Sequence, residues 1–409
     1  MIKFNRVERT RFFKYTVVFV LLLLATAIPL AQTGSVPDYG SAFQQVWKET
    51  RDRFYDKHMH GVNWETVGEN YRASAREARN LTEFQTIVNR MLGELHASHL
   101  GYFTKNDIEY YLLPAVFRGE MDSAKVGQIG VTGDIKTSCL KVRAVLDGSP
   151  AAKAGIRVGD ELNEAGGEPF ATVGPFQGRE GSSLLVTADR PGAGRMTFVV
   201  KPVAESPQRY FLAATKKSVH VIDRDGKHIG YIHLWCMTND QFRQAFEEAL
   251  TGELSKTDGL IIDMRDGFGG TPFGYTDILM RPSIEWDEER RGERSSRHSG
   301  YGKPVVVLTN GGTRSAKEFF CYQLKKAHRA TLIGTRTAGA FLGASGVPIG
   351  TDGYLEVPVT GLKVDGAKLE GHGVDPDITV ADSDTYGPND AQLKRAVEVL
   401  ASKISAVRT

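Results

Sequence analysis

Four apolar segments in the second half of the chain, "HIGYIHLW", "GLIIDM", "PVVVLT" and "ATLIG", constrain the fold more than any other feature. None keeps the strict polar–apolar alternation of a half-exposed strand, so each is expected to be buried on both faces. The segments between them are helical in pattern. "TNDQFRQAFEEALTGEL" sets Phe242, Phe246 and Leu250 on one face, and "SAKEFFCYQLKKA" reads as a second helix. Buried strands separated by helices predict a mainly parallel α/β sheet. Such sheets collect ligands at the carboxyl ends of their strands. Two glycine turns fall at such ends, "DMRDGFGG" and "TNGGTRS".

The rest of the 409 residues exceeds what one compact domain uses. The whole reads as an α/β (α+β multidomain) chain. Residues 38–112 are expected to form a helical region. Within it, "LTEFQTIVNRMLGEL" puts Phe84, Ile87, Val88, Met91, Leu92 and Leu95 at helical spacing, with a capping box expected between Thr82 and Gln85. Residues 122–204 turn to short strands and glycine turns, residues 206–385 carry the α/β core, and residues 386–409 close the chain with the helix "NDAQLKRAVEVLASKI". The first 31 residues differ. "MIKFNRVERTRFFKY" is basic, and "TVVFVLLLLATAIPLA" is apolar and uncharged, with small residues at Ala25, Ala27 and Ala31. That order predicts a secretory signal, or an uncleaved anchor giving membrane association through residues 16–31. In a bacterium either reading places the bulk of the chain in the periplasm or outside the cell. No cysteine follows the apolar run to take a lipid.

Charge is balanced, with 51 basic against 49 acidic residues, which gives no electrostatic case for a nucleic-acid partner. Cys139, Cys236 and Cys321 are odd in number and far apart, so they read as buried apolar side chains rather than a disulfide framework. His58, His60, His96 and His99 share one region, but no "HExxH" or paired-cysteine spacing accompanies them, and no metal site is expected.

Ser315 admits two readings. "SAKE" is a capping-box pattern in which Ser315 caps the helix and Glu318 reaches back. Yet strand, tight turn, serine and helix is also the context that exposes a nucleophile at a sheet edge. The N–H of Ala316, with that of Gly269 or Gly270, would then face an oxyanion. Lys317, Lys325 and Lys326 on the same helix read as solvated charges.

Two resemblances narrow the choice. "GSPAAKAGIRVGDEL" resembles a PDZ domain, the module that binds peptide C-termini as an added strand. Its carboxylate-holding loop corresponds to "VGQIGV", implicating Gly127, Ile129, Gly130 and Val131. "GLIIDMRDGFGG", "VVVLTNGGTRSAKE", "RATLIGTRTAG" and "EGHGVDPDITV", in that order around the PDZ-like insert, resemble the carboxy-terminal processing (tail-specific) peptidases and the tricorn core. The likeness runs from residue 41 to the end. Many such enzymes use a Ser–Lys dyad, but Ala340 stands where the lysine would fall. The tricorn-like branch uses a histidine preceded by serine, and a glutamate near the C-terminus. "LGELHASHLGY" supplies Ser98 and His99, and "KLEGHGVDPD" supplies Glu370.

The resemblance therefore implies a serine endopeptidase acting on protein or peptide substrates. Ser315 would be its nucleophile, His99 its base, and Ser98 and Glu370 the groups that orient the base, with no cofactor. His372 ranks second as base. His99 read alone would serve equally as a partner for a helix C-terminus, and Glu370 as a surface charge. Two rivals stand beside this reading: a catalytically degenerate peptide-binding protein of the same fold, and acyl-transfer chemistry on a substrate other than peptide.

Overall fold

The computed structural model describes residues 38–121, 124–135 and 139–408. The expected signal or anchor, residues 1–31, lies outside the described residues. No helix among those described is long and apolar enough to cross a membrane.

The central sheet has six strands in the spatial order His220–Arg224, Lys227–His233, Gly259–Asp263, Val305–Thr309, Thr331–Gly334 and Ile378–Thr379. The last five run parallel and the first pairs antiparallel with the second. Every residue of Gly259–Asp263 and Val305–Thr309 is buried, which is why those segments are apolar without alternation. The C-terminal helix Ala391–Arg408 covers one face, setting Ala396, Leu400 and Ile404 against Ile229, Ile261, Val306 and Ile333. It lies so close at Gly259 that a Cβ there would sit 2.9 Å from Leu400 Cδ1. On the other face Leu260, Ile262, Val307 and Leu332 meet Phe242, Phe246 and Leu250 of helix Asp240–Thr251, and Phe320 and Leu324 of helix Ala316–Lys326. The mainly parallel sheet expected from the sequence is present.

The N-terminal helices Tyr39–Arg53, Trp64–Arg76 and Leu81–Gly93 do not form a layer by themselves. They pack on an antiparallel sheet whose strands, in spatial order, are Gly101–Thr104, Gly353–Thr360 and Gly343–Ile349. Phe84, Val88 and Leu92 share one core with Val347, Ile349, Leu355 and Val357, so the first and last thirds of the chain build a single unit. The start of the third helix differs from expectation. Asn80 is its cap, accepting the Glu83 N–H at 2.9 Å, while Gln85 is buried and bonds Asp107 and the Tyr102 carbonyl. The Asn side chain wins because it stands one residue before the first helical turn, whereas Thr82 is already inside it.

Between these regions a third sheet, with its main strands Val131–Ile135, Leu140–Val145, Glu161–Ala165, Leu184–Arg190 and Gly194–Val200 in that order, is wholly antiparallel. Its entry and exit, Val126–Gln128 and Val203–Glu205, pair with each other and close the neck of the insert. The hairpin Glu285–Arg290 and Glu293–His298 was not anticipated. Its residues Glu285–Arg290 are exposed throughout, so no hydrophobic period marks it.

Phe84 stacks on Tyr39 at 4.7 Å and meets Tyr102 edge-on at 5.6 Å. Phe84→Ala is expected to cost about 3–5 kcal/mol, read from urea denaturation of the full chain.

Candidate active site

The turn that carries Ser315 is built by polar side chains at the end of strand Val305–Thr309. Asn310 N–H donates to Thr313 Oγ1 (3.0 Å), and that hydroxyl donates to the Met264 carbonyl (3.0 Å). Asn310 in turn accepts the N–H groups of Gly312 and Asp266 at 2.9 and 3.2 Å. Ser315 therefore emerges at φ 58°, ψ −127°, left-handed backbone held only because the surroundings determine it. Ser315 and Glu318 do form the capping-box pair, yet the serine hydroxyl makes no cap hydrogen bond. The Glu318 N–H goes to the Ser315 carbonyl (2.8 Å) instead. The hydroxyl is left for the cavity beside it.

Glu318 is fully buried and gathers four donors. Oε2 accepts the N–H groups of Ser315 (3.0 Å) and Ala340 (2.7 Å); Oε1 accepts the Gly339 N–H (2.7 Å) and the Thr337 hydroxyl (2.5 Å). Burial pushes its carboxyl up, opposed by these donors. All four contacts are donors, so the ionised form fits the site.

Ser98, His99 and Glu370 lie in contact. Ser98 N–H donates to Glu370 Oε1 and its hydroxyl to Oε2, both at 3.0 Å; the hydroxyl oxygen is 3.0 Å from His99 Nδ1. A carboxylate only accepts, so the Ser98 proton points to Glu370, and the serine oxygen accepts from Nδ1–H. That order leaves Nε2 unprotonated. Phe341 N–H also donates to Glu370, at 2.7 Å. His99 is 9% exposed, and burial, with the Arg314 charge second, pushes its pKa down to about 3.

His99, Ser315, Ala316, Gly269 and Gly270 line one cavity of about 630 Å³. Ser315 and His99 share it without a direct hydrogen bond among the described residues. Gly269 lies against the serine: a Cβ there would sit 2.8 Å from Ser315 Oγ. The Gly269 carbonyl is taken by the Met237 N–H (3.0 Å), and Thr271 N–H donates to the Met237 carbonyl (2.8 Å). The N–H groups of Gly269, Gly270 and Ala316 bond no backbone carbonyl among the described residues.

Several sequence expectations change here. Helix Leu81–Gly93 ends well before His99, which removes the helix-dipole reading. Glu370 is half-buried and triply bonded rather than a free surface charge. His372 is exposed, bonded to the Glu370 carbonyl, and does not line the cavity. Lys317 is fully buried, not solvated; its ammonium donates to the Asp266 carbonyl at 2.6 Å, and burial pulls its pKa down to about 8. Cys236 and Cys321 are buried free thiols, as expected, and Cys139 is half-buried. Both ring nitrogens of His60 are bonded, to Leu95 O and Tyr55 Oη.

The peptide-loop residues do not line the cavity and are engaged within the insert. Gly127 N–H donates to Gln177 Oε1 (3.0 Å), and the Ile129 and Gly130 carbonyls accept from Ala151 and Leu146. Val131 pairs with Val145. The sequence reading missed the scaffold roles of Thr313, Asn310 and Thr337. The one available signal was the concentration of Asn and Thr in "TNGGT" and "TRT".

Residues 228–380 match the family described as Peptidase family S41, and residues 36–93 match the Tricorn protease C1 domain. The chain is 27% identical over 398 residues to the tricorn protease of Thermoplasma volcanium, an overlap of 90% of this chain and 36% of that protein. It is 26% identical over 430 residues to a carboxyl-terminal-processing protease of Synechocystis, with 97% and 95% coverage. The chain thus spans about a third of the tricorn-type relatives. Among solved structures, the photosystem II D1 C-terminal processing protease aligns with a TM-score of 0.53 at 23% identity, over 89% of this chain and 97% of that one. The tricorn protease aligns with a TM-score of 0.55 at 21% identity, over 91% and 37%. Both likenesses are of fold.

Glu318→Gln replaces an acceptor-only group by one that must turn an NH2 toward a donor. It is expected to lower stability by about 2–4 kcal/mol in urea denaturation.

Proposed function

From the match of residues 228–380 to peptidase family S41 and of residues 36–93 to the tricorn C1 domain, we propose that the chain is an exported serine endopeptidase of that family, working through Ser315 and His99 rather than through a Ser–Lys pair. The observation that carries this reading is the unbroken line Glu370–Ser98–His99, which ends at a cavity holding Ser315. Ser315 Oγ attacks the scissile carbonyl of a peptide, and His99 Nε2 takes its proton and returns it to the leaving amine. Ser98 and Glu370 hold the ring with Nδ1–H fixed and stabilise the imidazolium that forms. The carbonyl oxygen, as it gains charge, is received by the Ala316 N–H and one from Gly269 or Gly270. Ser315 and His99 close their gap when substrate fills the cavity, as apo sites commonly require.

The insert, residues 122–204, is proposed as a PDZ-like module that holds C-terminal segments at Gly127, Ile129, Gly130 and Val131. Since Gln177 occupies the Gly127 N–H, peptide capture there must displace that side chain. Export rests on the basic and then apolar order of residues 1–31. The second reading, a peptide binder without turnover, draws on Ala340 at the lysine position and on the absence of a resting Ser315–His99 bond.

Labelling with a fluorophosphonate separates the two. Residues 32–409 should label at Ser315. Ser315→Ala should abolish both labelling and peptide cleavage, and His99→Ala should cut them by about 10³-fold or more. No labelling of wild type, together with retained peptide binding, would favour the non-catalytic reading.

The His99 environment also fixes a pH profile. Burial disfavours the imidazolium, so the ring stays neutral and able to accept a proton well below its ordinary pKa near 6.5. The acid limb of kcat/KM should therefore fall below about pH 6, with activity held down to about pH 5. A limb centred at the ordinary histidine value would count against His99 as the base.

A further inference from the structure

The cavity beside Ser315 is apolar for much of its length but contains two carboxylates that the mechanism does not use. Helix Ile108–Arg118 presents Glu109, Leu113, Val116 and Phe117 to it, the spacing of one helical face. The opposite wall is the sheet of Gly101–Thr104 and Gly353–Thr360, contributing Phe103 and Glu356. Glu356 is 8% exposed and accepts no hydrogen bond among the described residues. Its cross-strand neighbours are Gly101 and Gly346, and the space above these glycines is taken by the rings of Phe103 and Tyr354. Glu109 is half-buried, accepts its own N–H, and feels the charges of Asp107, Arg314 and Glu356.

A buried carboxylate with no hydrogen-bond partner is costly, and that of Glu356 stands beside Phe103, Leu113 and Val116. Arg314 lines the same cavity. It influences both carboxylates through its charge, but no ion pair joins it to either. Lys363, which is exposed, also lines the cavity, but Arg314 is the cation whose charge bears on Glu109 and Glu356, and the two carboxylates repel each other.

We propose that this cavity is the subsite for a lysine or arginine side chain of the substrate residue that supplies the scissile carbonyl. The alkyl stem lies along Phe103, Leu113 and Val116, and the cation rests between Glu109 and Glu356. The inference depends on Ser315 being the nucleophile, since the serine and the oxyanion donors at the cavity's edge place the scissile carbonyl there. Burial raises both carboxyls, Glu109 to about 7 with Asp107 adding to the push, so the empty site holds its full negative charge only when a cation arrives or the pH rises. Arg314 raises a competing possibility, an acidic side chain held by its guanidinium, which the same experiment tests.

The experiment is the cleavage of four fluorogenic peptides by wild-type protein. They are identical except for lysine, arginine, norleucine or glutamate on the acyl side of the cut. Norleucine keeps the alkyl stem and lacks the charge. The expected kcat/KM for lysine and arginine exceeds that for norleucine by at least about tenfold. In Glu356→Gln, and separately in Glu109→Gln, that ratio should fall toward one, chiefly through loss on the basic peptides. Two variants guard against one failing to fold. Equal rates in wild type, or preference for norleucine or glutamate, would overturn the inference while leaving the peptidase reading intact. Failure to cleave any peptide, with no fluorophosphonate labelling, would overturn the peptidase reading and this inference with it.

Discussion

The buried carboxylate of Glu318 is the contact on which the site depends. Three of its four donors, the Thr337 hydroxyl and the N–H groups of Gly339 and Ala340, belong to the turn after strand Thr331–Gly334, and the fourth belongs to Ser315. One anion thus fixes the strained serine and the neighbouring turn together. That turn continues into Phe341, whose N–H holds Glu370, and Glu370 holds Ser98 and through it His99. The path from Ser315 to His99 therefore runs through the carboxylates of Glu318 and Glu370, the backbone of Ala340 and Phe341, and Ser98, with no charged side chain at position 340. A lysine there would have to share the space in which Ala340, only 5% exposed, now sits.

A second knot ties the glycine turn to the rest. Asp266 accepts from Arg143 of the insert (3.2 Å), from Asn310 in the serine turn (3.0 Å) and from the Tyr386 hydroxyl (2.9 Å). Lys317 donates to its carbonyl. Asp266 also takes φ 46°, so the segment leading to Gly269 and Gly270 is bent by its contacts rather than by glycine alone. The insert touches the candidate oxyanion loop three residues from Gly269.

The parallel core was legible because its strands are buried on both faces, and burial writes a continuous apolar run. Phe242, Phe246 and Leu250 lay on the buried face for the same reason. Ser315, Ser98, His99 and Glu370 were found by local motif, and their adjacency across the fold was not derivable from spacing. What stayed hidden was long-range and polar. Nothing in "SAKE" tells that Glu318 serves Thr337, Gly339 and Ala340, because a capping box satisfies the same four letters. Lys317 was misread for a related reason: on the same helix Lys326 is exposed and Lys325 half-buried, and the adjacent buried charges of Lys317 and Glu318 leave no helical period to detect. Asn80 was passed over for Thr82 because both precede an apolar helix face, and only the backbone decides which residue stands outside the first turn.

Strand Gly353–Thr360 joins these points. Its alternate residues Leu355 and Val357 enter the core of the N-terminal helices, while Glu356 looks into the cavity. A strand has a side-chain period of two, so a slip by one residue would drive Glu356 into an apolar core and expose both aliphatic residues. The register is therefore fixed by hydrophobic burial on the face away from the chemistry. The same strand pairs Gly101 with Glu356, and Gly101 lies two residues beyond His99. The packing of helices at the N-terminus thus sets the places of both His99 and Glu356 on the cavity that holds Ser315. That arrangement can exist only when the first and last thirds of the chain have folded on each other. A lysine at position 340, one helix and one strand after the serine, would carry no such requirement.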